Sequence, residues 1–326
     1  MSHYINVPVN ENGIIYDPDM NRVVAEAIAV SPFGFDDVFI YSHGWSTDAM
    51  SMMNEYNRFS VDLAQRVLLL SRAASPGFPS PPADAFGIGI HWPSEITEDP
   101  KSPLNDLQLF TFYTMEQRAD VVGRNAVYSV LRLLLNARSA GPPLRLFLLG
   151  HSFGCKVICA ALQDLQTDIA NGTVDVAANT KFRAVLLEPA TDNDNLQKDD
   201  IYGGICAIGN LRMLITHSQE DLALTRWFKL AGQLTNVFKK PTPALGDTGP
   251  TATTVSDFGG ADSLSVTSQL VTADMFALKK PLVVADLTPV HSERKAKGEY
   301  SGGVSGSHSD INFDQIYYMV AGFLYS

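Results

Sequence analysis

The sequence predicts an α/β fold, with a mostly parallel central sheet, helices on both faces and loop insertions. Three observations predict it. Short apolar runs of strand length lack clear polar alternation, as strands buried on both faces do. These runs take turns along the chain with longer segments of helical composition. No linker parts the 326 residues into two independent apolar sets, so one domain over residues 1–326 is expected.

In chain order, DVFIYS at Asp37–Ser42 is the first buried strand. Thr47–Arg72 follows as a helix behind a Ser-Thr-Asp start, whose side-chain oxygens can cap its first amides. The Pro-rich SPGFPSPPAD, 75–84, is a loop leading into a second strand, Ala85–Trp92. PSEITEDPKSPLND and the aromatic LQLFTFYTM come next, and residues 93–115 are a candidate lid or cap. Met115–Arg138 places Val122, Ala126, Val130, Leu133 and Leu134 near one helical face, then stops at Ala140-Gly141-Pro142. Leu144–Leu149 is a third strand, and Phe153–Ala170 a helix that stops at Asn171-Gly172. Strands at Phe182–Glu188, Leu211–Thr216 and Leu282–Leu287 follow, and Asp314–Leu324 closes the chain as a helix. Residues 241–266, rich in Pro, Gly, Thr and Asp, are too long for an ordinary connection. They are expected to be a functional loop or a flexible excursion, and form a second candidate cap segment.

Composition narrows the function. A net charge of −11 opposes a general nucleic-acid partner and an anionic membrane surface, both of which call for a basic face. No stretch approaches the roughly 18 uninterrupted apolar residues of a membrane span. The start MSHYINVPVNENG has neither a basic nor an apolar targeting region, so a cytoplasmic protein is expected. Cys155, Cys159 and Cys206 form no paired pattern, as suits reduced, buried thiols. Cys155 and Cys159 lie one helical turn apart without a third ligand at zinc-like spacing, so no metal is expected. Nothing in the sequence specifies an oligomeric state.

The chemistry concentrates at Gly150-His151-Ser152-Phe153-Gly154, where an apolar strand ends and an apolar helix begins. A Gly-x-Ser-x-Gly match arises by chance in roughly one chain in ten of this length, so the strand before and the helix after carry the weight. A serine held on such a turn is exposed as a nucleophile, and the following helix brings its positive end toward developing negative charge. An oxyanion also needs donors. His43-Gly44 follows the first strand directly, and the backbone N–H groups of Trp45 and Phe153 are the candidates.

A serine nucleophile further needs a base and a group that orients it. His308, among Gly and Ser residues just before the last helix, is the candidate base; His217 and His291 are its rivals. The orienting acid should follow a strand between Ser152 and His308. Asp221 in ITHSQEDLAL fits, and Asp192 in LLEPATDND is the alternative. Glu188, at a strand end, receives no role, although a buried Glu there needs a partner.

With these residues in place the sequence resembles the α/β-hydrolase superfamily, in the order Ser, acid, His. Within it the chain looks most like a poorly characterised, esterase-like branch. The resemblance rests on the His-Gly turn, Trp92-Pro93-Ser94, the FYTMEQRADVVGRNAV helix, the His-Ser-x-Gly elbow, Asp221-Leu222-Ala223-Leu224 and Ser-His-Ser-Asp-Ile at 307–311. Phe153 departs from the Met that this branch often carries, which alters only pocket shape. The resemblance implies hydrolysis of a small-molecule carboxylic ester through an acyl-enzyme on Ser152, without a cofactor. An amidase, a lactonase or an acyltransferase would use the same residues, and a non-catalytic scaffold would need none of them. Trp45, Trp92, Phe110, Phe112, Tyr113 and Phe153 are candidate linings of an apolar acyl pocket.

Overall fold

The computed structural model describes residues 3–16, 19, 35–45, 49–72, 85–94, 104–137, 144–178, 180–226, 228, 242–270, 272–299 and 303–326. Among the described residues, eight strands form one sheet: β1 (His3–Pro8), β2 (Asp37–Ser42), β3 (Ala85–His91), β4 (Arg145–His151), β5 (Lys181–Leu187), β6 (Leu211–His217), β7 (Ala261–Ser265) and β8 (Leu282–Asp286). Their spatial order is β1-β3-β2-β4-β5-β6-β8-β7, and each neighbouring pair is parallel.

The six strands expected from the sequence are all present, within a residue or two at their ends. β1 and β7 were not expected. They are the two edges of the sheet, where one side meets solvent and a continuous apolar run is not required. β7 is only partly buried along its length and lies inside the 241–266 stretch. Leu245–Thr248 and Ala252–Asp257 in that stretch are short helices; Pro241 lies outside the described residues.

Burial explains the unbroken apolar runs. Along β2, Val38 and Ile40 join the core on one face, while Phe39 and Tyr41 join the core on the other. Along β4, Leu146 and Leu148 divide from Phe147 and Leu149 in the same way. A period of two thus splits each apolar strand between two cores. Each such side chain, fully buried, stabilises the fold by roughly 1.5–3 kcal/mol.

Helices α1 (Ala49–Arg72) and α6 (Asp314–Tyr325) cover the Phe39 face through Tyr56, Phe59 and Leu63 and through Ile316 and Val320. The Val38 face is covered by α2 (Leu104–Val122), α3 (Tyr128–Ala137) and α4 (Phe153–Ala170). The single helix expected over Met115–Arg138 is therefore α2 and α3, joined by a π-helical turn at Gly123–Val127. Its first half begins at Leu104, inside the candidate lid; residues 95–103 of that lid lie outside the described residues. Helix α5 (Thr288–Ala296) follows β8. Among the described residues no helix is long and apolar enough to cross a membrane.

This topology places the site. β2 and β4 are neighbours, with Ser42 paired to Gly150, yet their outgoing helices α1 and α4 pack on opposite faces. In open parallel sheets, ligands bind beyond the carboxyl ends of two strands whose helices diverge in this way.

Candidate active site

Ser152 stands on the turn between β4 and α4 with φ 55° and ψ −124°, in the sparsely populated positive-φ region. Its N–H donates to the Leu187 carbonyl at 3.0 Å, and its own carbonyl accepts from Cys155 and Ala190. These bonds hold the strained residue from both neighbouring segments. The turn is also very close to β2. A Cβ on Gly154 would stand 2.0 Å from the Ser42 carbonyl oxygen, and one on Gly44 would stand 2.8 Å from Ser152 Cβ. Both positions exclude any larger residue, which accounts for the glycines read from the sequence.

His308 reaches Ser152 from a 3₁₀ segment, Gly303–Ser309, after α5. Its Nε2 lies 2.8 Å from Ser152 Oγ, and its Nδ1 lies 2.7 Å from Asp221 Oδ2. A carboxylate only accepts, so Nδ1 carries the proton and Nε2 presents a lone pair to the serine hydroxyl. The Asp221 side chain is wholly buried, whereas that of His308 retains 13% exposure. The other Asp221 oxygen accepts from Leu224 N–H at 2.9 Å, and its carbonyl accepts from Thr225 N–H. Asp221 therefore also caps the helix over residues 222–226, and one local bond fixes the rotamer that faces His308. Asp192, the alternative acid, lies on the loop after β5, where its backbone bridges to Ala244.

The His-Gly turn has a structural reason. His43 is completely buried; its Nδ1–H donates to the Gly44 carbonyl at 2.8 Å, and its Nε2 accepts from Trp92 N–H at 3.3 Å. The Trp92 indole N–H returns a bond to the His43 carbonyl at 3.2 Å, and the two rings stack at 5.3 Å. Burial holds the His43 pKa down at about 4, so the ring is neutral. The His-Gly and Trp-Pro-Ser signatures are thus two halves of one clamp, which sets the backbone just ahead of Trp45. Phe153 is the first residue of α4, where a helix has free N–H donors.

Four aromatic rings pack beside the serine turn. Phe153 lies 5.1 Å from Phe112 and 6.3 Å from Trp45 between centroids, and Phe112 lies 5.5 Å from Phe228. Phe112, Phe153 and Trp92 are buried, and Trp45 and Tyr113 are half-buried. The Phe110 side chain lies outside the described residues.

His151 and the rival bases His217 and His291 take other places. His151 Nε2–H donates to the His308 carbonyl at 2.8 Å, and burial lowers its pKa to about 3. His291 is wholly buried, with Nε2–H donating to the Asp310 carbonyl and Nδ1 accepting from Ser218 Oγ. His217, at the end of β6, has its pKa lowered by burial. The three cysteines are free thiols, and burial pushes the Cys159 pKa up to about 12, where it is inert as a nucleophile.

A carboxylate oxygen of Glu188 and ring nitrogens of His151 and His308 lie within 4.8 Å of one another. Among the described residues this is the grouping with a metal-binding donor set. Both His308 nitrogens are already engaged by Asp221 and Ser152, so an ion there would displace one of those contacts. The sequence assigns no role to Glu188 or His151, although Glu188 is a charged residue ending an otherwise apolar strand, FRAVLLE, and needs a partner when buried.

The model of a family described as "Alpha/beta hydrolase of unknown function (DUF900)" matches residues 35–237, more than half of the chain. That segment holds Gly44, Ser152 and Asp221, and ends before His308. No curated protein and no solved structure matches the chain.

Proposed function

Because the chain belongs to this alpha/beta-hydrolase family, whose reaction is not defined, we propose that it is a serine hydrolase that cleaves small carboxylic esters. The observation that carries the reading is the unbroken path from Ser152 Oγ through His308 to Asp221, at 2.8 and 2.7 Å. In this reading Ser152 Oγ attacks the ester carbonyl as its proton passes to His308 Nε2. The oxyanion is met by the backbone N–H groups of Trp45 and Phe153 at the positive end of α4. Collapse expels the alcohol, which takes the proton back from His308. Water, deprotonated by the same nitrogen, then attacks the acyl carbon, and Ser152 Oγ leaves with the proton from His308 as the acid is released. Asp221 holds the imidazole in its productive tautomer and stabilises the imidazolium. The ring cluster of Trp45, Phe112, Phe153 and Phe228 favours an apolar acyl group.

The test is labelling with a fluorophosphonate probe, followed by hydrolysis of a panel of p-nitrophenyl esters from acetate to decanoate. Wild type labels and turns over, and Ser152→Ala does neither while unfolding at the wild-type temperature. A folded wild type that resists the probe, or a Ser152→Ala variant that keeps its ester turnover, overturns the reading. Amide and lactone analogues, and alcohol acceptors added to the ester assay, separate the other reactions open to the same residues.

A further inference from the structure

Behind the Ser152–His308–Asp221 path sits a second acid that the reaction above does not use. Glu188 follows β5, is completely buried and has φ 44°, one of three positive-φ residues other than glycine among the described residues. Its N–H donates to Thr216 Oγ1 at 2.8 Å. Its Oε1 accepts from Ser307 Oγ at 3.2 Å, and its Oε2 has no hydrogen-bond partner among the described residues. Ser307 directly precedes the base and is held again by its own N–H, which donates to the Glu220 carbonyl at 2.9 Å. The His308 carbonyl is held by His151.

We propose that Glu188 is a positioning residue for His308, a neutral carboxylic acid that pins the base's loop through Ser307 and leaves Asp221 as the sole anion at the imidazole. The purpose of this arrangement rests on the serine-hydrolase reading.

Among the described residues, the groups facing Glu188 leave no cation to pair with a carboxylate. From β4 and α4 come His151, neutral as described, and the buried Cys155 thiol. The loop after β6 contributes Asp221. Helix α5 contributes His291, whose Nδ1 lies 3.7 Å from Glu188 Oε1; burial lowers its pKa and favours the neutral ring, and with Nε2–H on the Asp310 carbonyl its Nδ1 accepts from Ser218. The base loop contributes His308 and Asp310, and Arg294 is committed to Asp310 through two bonds of 2.8 and 3.0 Å. A carboxylate with one bare oxygen in such a place loses far more hydration than a single hydroxyl returns. Burial and the neighbouring Asp221 charge together push the Glu188 pKa well above the usual carboxylate range.

Neutrality matters for the base. One carboxylate beside an imidazole fixes its tautomer and stabilises its cation; a second would make His308 too reluctant to return its proton. A protonated Glu188 supplies a hydrogen-bond acceptor to Ser307 without that second charge.

The experiment compares wild type with Glu188→Gln and Glu188→Ala, reading the NMR titration of isotope-labelled His308 (assigned with His308→Gln) and the steady-state kinetics. Gln, also neutral and able to accept from Ser307, leaves the His308 midpoint in place and keeps kcat within about threefold of wild type, a small loss because the geometry is preserved. Ala lowers kcat by about 10- to 100-fold with little change in KM, because the base is no longer held in line. Ser307→Ala removes the same bond from the other side, gives the same loss, and replaces Glu188→Ala if that variant does not fold. The double variant adds nothing further if the two act as one unit. The proposal is overturned if Gln lowers the His308 midpoint by on the order of one pH unit, the expected effect of removing a nearby anion. Wild-type kcat in folded Glu188→Ala or Ser307→Ala overturns it equally. The titration needs no turnover, so a wild type inert toward the probe sinks the hydrolase reading while the charge of Glu188 is still decided.

Discussion

Replacing Asp221 with Asn exchanges one carboxylate oxygen for an NH₂ group and separates the two duties of this side chain. One oxygen caps the helix over residues 222–226 by accepting from Leu224 N–H at 2.9 Å, and the other accepts from His308 Nδ1 at 2.7 Å. An Asn side chain has one acceptor and one donor. If its oxygen stays on Leu224 N–H, its NH₂ group faces His308 and demands a lone pair on Nδ1. The imidazole proton then moves to Nε2, where it points at Ser152 Oγ and blocks proton transfer. The opposite rotamer sets an amide NH₂ against the Leu224 N–H and forfeits the cap, worth about 1 kcal/mol. The capped rotamer is preferred, so the variant folds well and carries the wrong tautomer. On the proposed serine-hydrolase reading the loss is on the order of 10⁴-fold in kcat, or about 5 kcal/mol of transition-state stabilisation. Asp221→Ala loses the cap but leaves the ring free to choose its tautomer. The expectation is therefore crossed: Asn unfolds at the higher temperature of the two and has no more activity than Ala. Both are measured by ester hydrolysis and probe-labelling rate beside thermal unfolding. An Asn variant that keeps a tenth of the wild-type rate refutes the tautomer argument.

Two further outcomes follow from the same geometry. Gly44→Ala brings a methyl group to 2.8 Å from Ser152 Cβ and 3.4 Å from Ser152 Oγ. The overpacking should cost about 1–3 kcal/mol of stability, and labelling of Ser152 should slow on the order of 10²-fold through its displacement; labelling at the wild-type rate would contradict the contact. His43 is buried with its pKa lowered from 6.5 to about 4, so on acidification the unfolded chain takes up a proton that the folded chain refuses. Stability should fall as pH drops through that window, by up to about 3 kcal/mol from this group. Urea unfolding of His43→Asn should show a shallower loss over the same range, and identical slopes would assign the acid sensitivity elsewhere.

What could be read without coordinates was local. The apolar runs flanked by turn residues placed six strands, and the pairing of a strand with a helix around Gly150–Gly154 placed Ser152, because a tight turn imposes its demands on adjacent residues. Edge strands β1 and β7 escaped, since a strand half in solvent need not be apolar. The order Ser, acid, His restricted the partners of Ser152 to a few residues but left Asp221 and Asp192 open. In the structure it is Asp221, after β6, that meets His308 Nδ1, and the cap on Leu224 turns its carboxylate toward that ring.

The sequence by itself determined the sheet's central strands, the strained serine turn and the residue types available for chemistry there. Only the tertiary structure decided which acid meets His308, why His43 and Trp92 occur together, and that Glu188 stands fully buried behind His308. Turn and strand preferences arise from contacts between near neighbours in the chain. A carboxyl group's charge depends on the water it has lost and on groups that only folding brings beside it, here from residues as far apart as 151 and 310.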